Sequence, residues 1–189
     1  MSTAIQEQVW ALLVQVPREP NTALPPGATQ EAVDEFEART GISLPYELCK
    51  WLKMCNGPCV GPGGLFGVAP ASEFLLMEVH LSYEPAWFVK GWIPVAGDGT
   101  GKYYVLDSRT EVKQGHPVFF LDHERGLNEP EYVVASNIWQ FLRFLLQEEL
   151  DRQRGGRSSW PFHADSVLTL DPVLASCTEV APLPWSAGS

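Results

Sequence analysis

The chain has 189 residues, 45% of them hydrophobic, and a formal charge of -10 from 23 acidic and 13 basic side chains. That length suits one domain with an appendage and a sizeable core, and 16 glycines with 16 prolines argue against a long helical bundle. So acidic a surface repels nucleic acid and anionic lipid; it either serves simply to keep the protein soluble or draws in a basic protein partner.

The opening MSTAIQEQVWALLVQVPREP lacks the basic start and small-residue cleavage site of a signal peptide. No apolar run approaches the ~18 residues of a membrane span. A soluble cytoplasmic protein is expected, with its four cysteines as thiols. Cys55 and Cys59 stand close, but neither a second close pair nor a nearby histidine completes a metal set. No metal and no cofactor are expected.

The pattern predicts a helix over 4–16, with Ile5, Val9, Leu12, Leu13 and Val16 on one face and Ser2 or Thr3 as cap. Pro17 and Pro20 end it, and a proline-rich linker completes a segment over 1–23. Thr29 is the expected cap of a second helix that turns Val33, Phe36 and Thr40 inward and stops at Gly41. A third helix starts at Pro45 and buries Leu48, Trp51, Leu52 and Cys55, at i, i+3, i+4, i+7 spacing. Asn56-Gly57 closes it, and Gly61-Pro62-Gly63-Gly64 makes a loop.

Short strands follow. Leu65–Val68 is a candidate, while 69–90 mixes helix and strand signals and receives no assignment. Trp92–Ala96 reads as a strand in which Pro94 favours an edge or a bulge. Tyr103–Leu106, Val118–Leu121 and Tyr132–Val134 are β-branched or aromatic runs, spaced as an antiparallel meander. Ser136 is the expected cap of a helix with Ile138, Phe141, Leu142, Leu145 and Leu146 on its apolar face. The remaining 154–189 begins with a flexible RGGRSS and then carries Trp160, Phe162, Val167, Leu168, Leu170 and Trp185. So apolar a tail is expected to pack back on the domain or on a partner.

The stretch WIPVAGDGTGKYYVLD, 92–107, raises the question of a phosphate loop. A Walker loop needs Ser or Thr after its lysine and a helix behind it. Here Lys102 is followed by strand formers, so no helix N-terminus gathers amide donors for a phosphate, and Asp98 would repel one. Asp98-Gly99 and Thr100-Gly101 instead predict a hairpin turn. Asp122-His123-Glu124 is the densest polar cluster and the best candidate for a metal or hydrolytic site. Strand alternation would set Asp122 and Glu124 on one face and His123 on the other, so a polar loop is the plainer reading. His80, His116 and His163 have no partner at a diagnostic spacing.

The string LPPGATQEAVDEFEARTGISLPYELCKWLKMCNG resembles the opening of the SUKH superfamily, which holds fungal Smi/Knr cell-wall regulators and bacterial immunity proteins. The resemblance rests on Glu35-Phe36, Glu37, Gly41, Leu44-Pro45, Asn56-Gly57, Ile93–Ala96, the turn at Gly97–Gly101, Asp107, Val118–His123 and the helix with Phe141 and Leu142, in that order. It departs at Lys102, where the family often has an acid. It implies an α+β fold of the Smi/Knr type over 24–153, with a mixed, largely antiparallel, curved sheet and helices packed against it. Residues 154–189 are then a C-terminal extension packing on that core.

The resemblance further implies no catalysis, and binding of a cognate toxin enzyme that a basic surface would suit. Expected contacts are Asp98, Asp107, Asp122 and Glu124, which would pair with Lys or Arg, beside Trp92 or Tyr103 as aromatic anchors. The alternatives are a regulatory or scaffold protein of cell-wall synthesis, or a hydrolase built on Asp122, His123 and Glu124.

Overall fold

The structure is a computed structural model that describes residues 3–17, 23–156 and 160–186. Its centre is one four-stranded antiparallel sheet in chain order: β1 (Trp92–Gly97), β2 (Tyr103–Asp107), β3 (Val118–Leu121) and β4 (Tyr132–Ala135). Every ladder in this sheet is antiparallel, as the meander reading expects. The fold is α+β.

The N-terminal helices are α1 (Thr3–Gln15), α2 (Gln30–Thr40) and α3 (Tyr46–Met54). The Thr29 hydroxyl caps α2 by accepting from the Ala32 amide, and Gly41 ends it in the left-handed region at φ 68°. Pro45 sits one residue outside α3, as its N-cap rather than its first turn. All four residues expected on the inner face of that helix are buried, although Cys55 already lies in extended chain beyond it. The unassigned stretch folds as a short 3-10 turn, Glu73–Leu75, then α4 (Met77–Tyr83) and α5 (Ala86–Lys90).

Leu65–Val68 is not a strand. Its backbone amides change partner at each step: Phe66 to the Val95 carbonyl, Gly67 to that of Leu75, Val68 to the Asn56 side chain. Only isolated bridges result, Leu65 with Ala96 and Gly67 with Leu76. The segment nevertheless covers the outer edge of β1, where Pro94 lies beside a bulge as its missing N–H requires.

The long helix α6 (Ile138–Gln153) buries residues well beyond one stripe: Trp139, Phe144 and Leu150 as well as the five predicted positions. It packs between the sheet, α3 and α1. Its cap is Asn137, whose side chain accepts from the Trp139 and Gln140 amides, and not Ser136. Ser136 is turned inward, and its amide and hydroxyl both donate to Asp171, at 2.8 and 2.6 Å.

That aspartate belongs to the tail, which forms α7 (Ala164–Leu170) and a 3-10 stretch, Pro172–Glu179. Trp160 packs against Tyr104, Phe141 and Phe144, with ring centroids 5.9–6.2 Å apart. The Val133 amide donates to the Pro182 carbonyl, so the tail also covers the free edge of β4. Of the residues expected to hold the tail down, Trp160 and Val167 are buried, whereas Phe162 and Leu170 stay exposed. The expected cap Ser2, the stop at Pro20 and the second half of the RGGRSS break, 157–159, lie outside the described residues.

Candidate functional site

Strand register sorts the six predicted contact residues into two groups. Trp92 pairs with Asp107 at one end of the sheet, and Tyr103 pairs with Gly97 and Leu121 at the other. Roughly 13 Å of extended β2 separates them, at about 3.3 Å per residue. Asp98, Tyr103, Asp122 and Glu124 gather at the hairpin end; Trp92 and Asp107 do not join them.

Those two residues are also inaccessible. Trp92 is 7% exposed, packs on Phe119 and has the Lys90 ammonium 4.2 Å from its ring centroid. Asp107 is 6% exposed, and one carboxylate oxygen accepts from the Arg109 and Thr110 amides. The indole is packed away, and one Asp107 oxygen is used in closing its own turn.

The 92–107 stretch is the predicted hairpin. Asp98 organises the turn: one oxygen accepts from the Thr100 and Lys102 amides, the other from the Thr100 hydroxyl at 2.6 Å. Two glycine contacts fasten this turn to the 61–64 loop. A Cβ on Gly63 would lie 2.3 Å from the Gly97 carbonyl carbon. One on Gly99, which sits at φ 81°, would lie 2.8 Å from the Pro62 oxygen. Backbone therefore meets backbone where any side chain would hold the two loops apart.

Across the hairpin end, the Lys102 ammonium lies 2.8 Å from Asp122. Hydrogen bonding to that lysine holds the Asp122 carboxyl below its usual range and raises Lys102 in turn. The strand β3 has already ended at Leu121, so the predicted alternation of Asp122, His123 and Glu124 does not apply. Asp122 instead turns the chain by accepting from the Glu124 amide, and both His123 and Glu124 are exposed. The His123 Nδ1 stands 3.8 Å from Asp122, beyond hydrogen-bond reach. Among the described residues no three His, Cys, Asp or Glu side chains converge as metal ligands would.

Beside the hairpin end a cleft of about 210 Å³ opens between the 61–64 loop, α4 and the turn. At its base His80 is stacked on Phe66, with centroids 3.8 Å apart and 14° between planes. Phe74, Tyr83 and Tyr103 stand around it at 5.6–6.0 Å, tilted 63–83° from its plane. Burial keeps the His80 pKa below its ordinary value, so the ring is neutral at pH 7. Its single proton is on Nε2, because that nitrogen faces the Phe74 carbonyl, a pure acceptor, at 2.7 Å. Nδ1 then accepts from the Tyr103 hydroxyl at 3.3 Å.

Phe74 and Tyr83 are the outer walls, 65% and 62% exposed. Sequence reasoning missed both, and His80 too: Phe74 lies in the short 3-10 turn, and the seven residues of α4 are too few for a helical pattern to stand out. The available signal was one of phase. Leu75, Met77 and Leu81 fill the buried side, and Phe74 and Tyr83 fall off it.

No helix among the described residues is long and apolar enough to cross a membrane. No curated protein matches the chain. The model of the SMI1 / KNR4 family (SUKH-1) matches residues 27–143, which spans α2 to the first turns of α6 and includes the whole hairpin end. The chain therefore belongs to the SMI1 / KNR4 family (SUKH-1).

Proposed function

We propose that the chain is a non-catalytic immunity protein that binds and neutralises a cognate toxin enzyme with a basic surface. The hairpin end is the contact site: Asp98, Tyr103, Asp122 and Glu124, joined by Phe74 and Tyr83. One observation carries this reading. Two large aromatic side chains stay exposed beside three carboxylates and a single lysine at the hairpin end of the sheet, whose edge strands are covered by the 65–68 segment and the tail. Exposed aromatics rimmed by charge are the composition of a recognition surface, where rings supply buried area and acids steer a basic partner. Family membership supports a binding role of the Smi/Knr kind. The overall charge of -10 supports a basic partner.

The test is binding of the purified chain to any toxin domain that a neighbouring gene encodes, by calorimetry, with rescue of growth on co-expression. A stoichiometric complex is expected, and Glu124→Lys should slow its association and flatten its salt dependence. Glu124 is chosen because Asp98 and Asp122 also shape their own turns. Absence of any complex, with a wall defect on deletion of the gene, would replace this reading by the scaffold one. A bound metal, with turnover lost in His123→Ala, would replace it by the hydrolase one.

A further inference from the structure

We propose that the cleft at the hairpin end is a cage for one cationic side chain, a lysine or an arginine of the bound partner. This rests on the binding role proposed above and names what the site takes from the partner.

Three features point to a cation. The walls are aromatic rings, and with more than half of Phe74 and of Tyr83 exposed, ring surface is open to a guest. The quadrupole of such a ring attracts a cation lying within about 6 Å of its centre. The second feature is the base. His80 is a neutral imidazole whose Nε2–H is spent on the Phe74 carbonyl, so it neither repels a cation nor offers an anion a donor. The Tyr103 hydroxyl gives its proton to the His80 Nδ1, which leaves its oxygen as an acceptor for a guanidinium or ammonium N–H.

The third feature is the field. Lys102 lines the cleft, but its ammonium is held by Asp122 at 2.8 Å, and Asp98 and Glu124 act on the same spot. Three carboxylates against one ammonium leave the rim net negative, which disfavours an anionic guest and favours a cationic one. An apolar side chain would use the rings and gain nothing from that rim.

The experiment uses the full chain and small probes at constant ionic strength: n-butylguanidinium chloride, n-butylammonium chloride and the neutral N-butylurea. Aromatic NMR shifts of Phe74, Tyr83 and Tyr103 report occupancy. Both cations should give saturable shifts at these rings, with dissociation constants on the order of 10–100 mM for an isolated side-chain contact. N-butylurea should bind at least about fivefold more weakly, given a charge term of roughly 1 kcal/mol. Tyr83→Ala should abolish the shifts, and Glu124→Gln should weaken the cations alone. Equal binding of the urea would make the cleft a plain apolar groove and overturn the proposal. So would the absence of saturation by either cation.

Loss of the probe with an intact toxin complex removes the cage and leaves the proposed function. Probe binding without any toxin complex does the reverse. Backbone amide spectra away from the cleft check that each variant is folded.

Discussion

Two corners of this molecule are built from the same materials, acids and aromatic rings, and differ in how much water they keep. At the tail corner, Asp171 is 1% exposed and Trp160 lies among three other rings. At the hairpin end, the rings of Phe74 and Tyr83 face solvent and the acids form a rim. In the first corner every carboxylate oxygen has a protein donor, Ser136 supplying both. A buried charge without such donors would be several kcal/mol too costly to keep. In the second, charge is left over after the Lys102–Asp122 pair. Desolvation separates the two: a satisfied buried acid holds the fold, while surplus charge beside open rings suits the contact surface proposed above.

The largest effect should come from breaking the tail corner. Trp160→Ala removes a buried indole from a packed site, a change that typically lowers stability by about 3–5 kcal/mol. Asp171→Ala leaves the Ser136 amide and hydroxyl buried without an acceptor, and should lower it by about 2–4 kcal/mol. Urea unfolding measures both. A loss below about 1 kcal/mol in either would mean that the tail is an ornament on the core and not one of its walls.

Gly63→Ala should come next, at about 1–3 kcal/mol, the usual range for forcing extra volume into a filled site. Its Cβ would meet Gly97 backbone that cannot rotate away. Because this variant pushes on the hairpin turn, hydrogen exchange at Thr100 and Lys102 should speed up more than at the tail. Uniform exchange changes would show that the two corners are not separable in this way.

A smaller, pH-dependent effect sits under the cleft. The His80 pKa lies below 6.5 in the folded chain because burial disfavours the imidazolium. The unfolded chain then binds the proton more readily, so stability rises with pH through this window. The contribution of neutral His80 is whole above about pH 6.5 and is lost as pH falls toward the folded-state value. Unfolding of the wild type and of His80→Gln at pH 7.5 and 5 isolates it: the wild type should lose more on acidification. Parallel losses would show that His80 does not carry the difference.

What the sequence made legible follows from how local each signal is. The hairpin was readable because Asp-Gly and Thr-Gly pairs sit between β-branched runs, and the structure closes the turn there. The third helix was readable because Leu48, Trp51, Leu52 and Cys55 repeat at helical spacing. Leu65–Val68 misled because four apolar residues in extended chain look the same whether one neighbour or three take their hydrogen bonds. The Ser136 cap misled because Ser and Asn are both good caps, and the choice was made by Asp171, 35 residues away. The site divides in the same manner. Asp98, Tyr103, Asp122 and Glu124 were named as single residues, while their shared end of the sheet needed the register. Phe74, His80 and Tyr83 needed the tertiary fold, since nothing local marks a ring that stays outside.

The smallest effect on stability is the sharpest test of the comparison. Phe74→Ala and Tyr83→Ala remove large rings that are already mostly in water, so each should change unfolding free energy by no more than about 0.5 kcal/mol. Removing an interface anchor of this type commonly weakens a complex by 2 kcal/mol or more, roughly thirtyfold in affinity. The two readouts should therefore separate at the hairpin end and coincide at the tail, where Trp160→Ala harms binding only through unfolding. Should Phe74→Ala and Tyr83→Ala instead destabilise the chain strongly and leave the toxin complex intact, the exposed rings would be part of the scaffold. The contrast between the two corners would then lose its meaning.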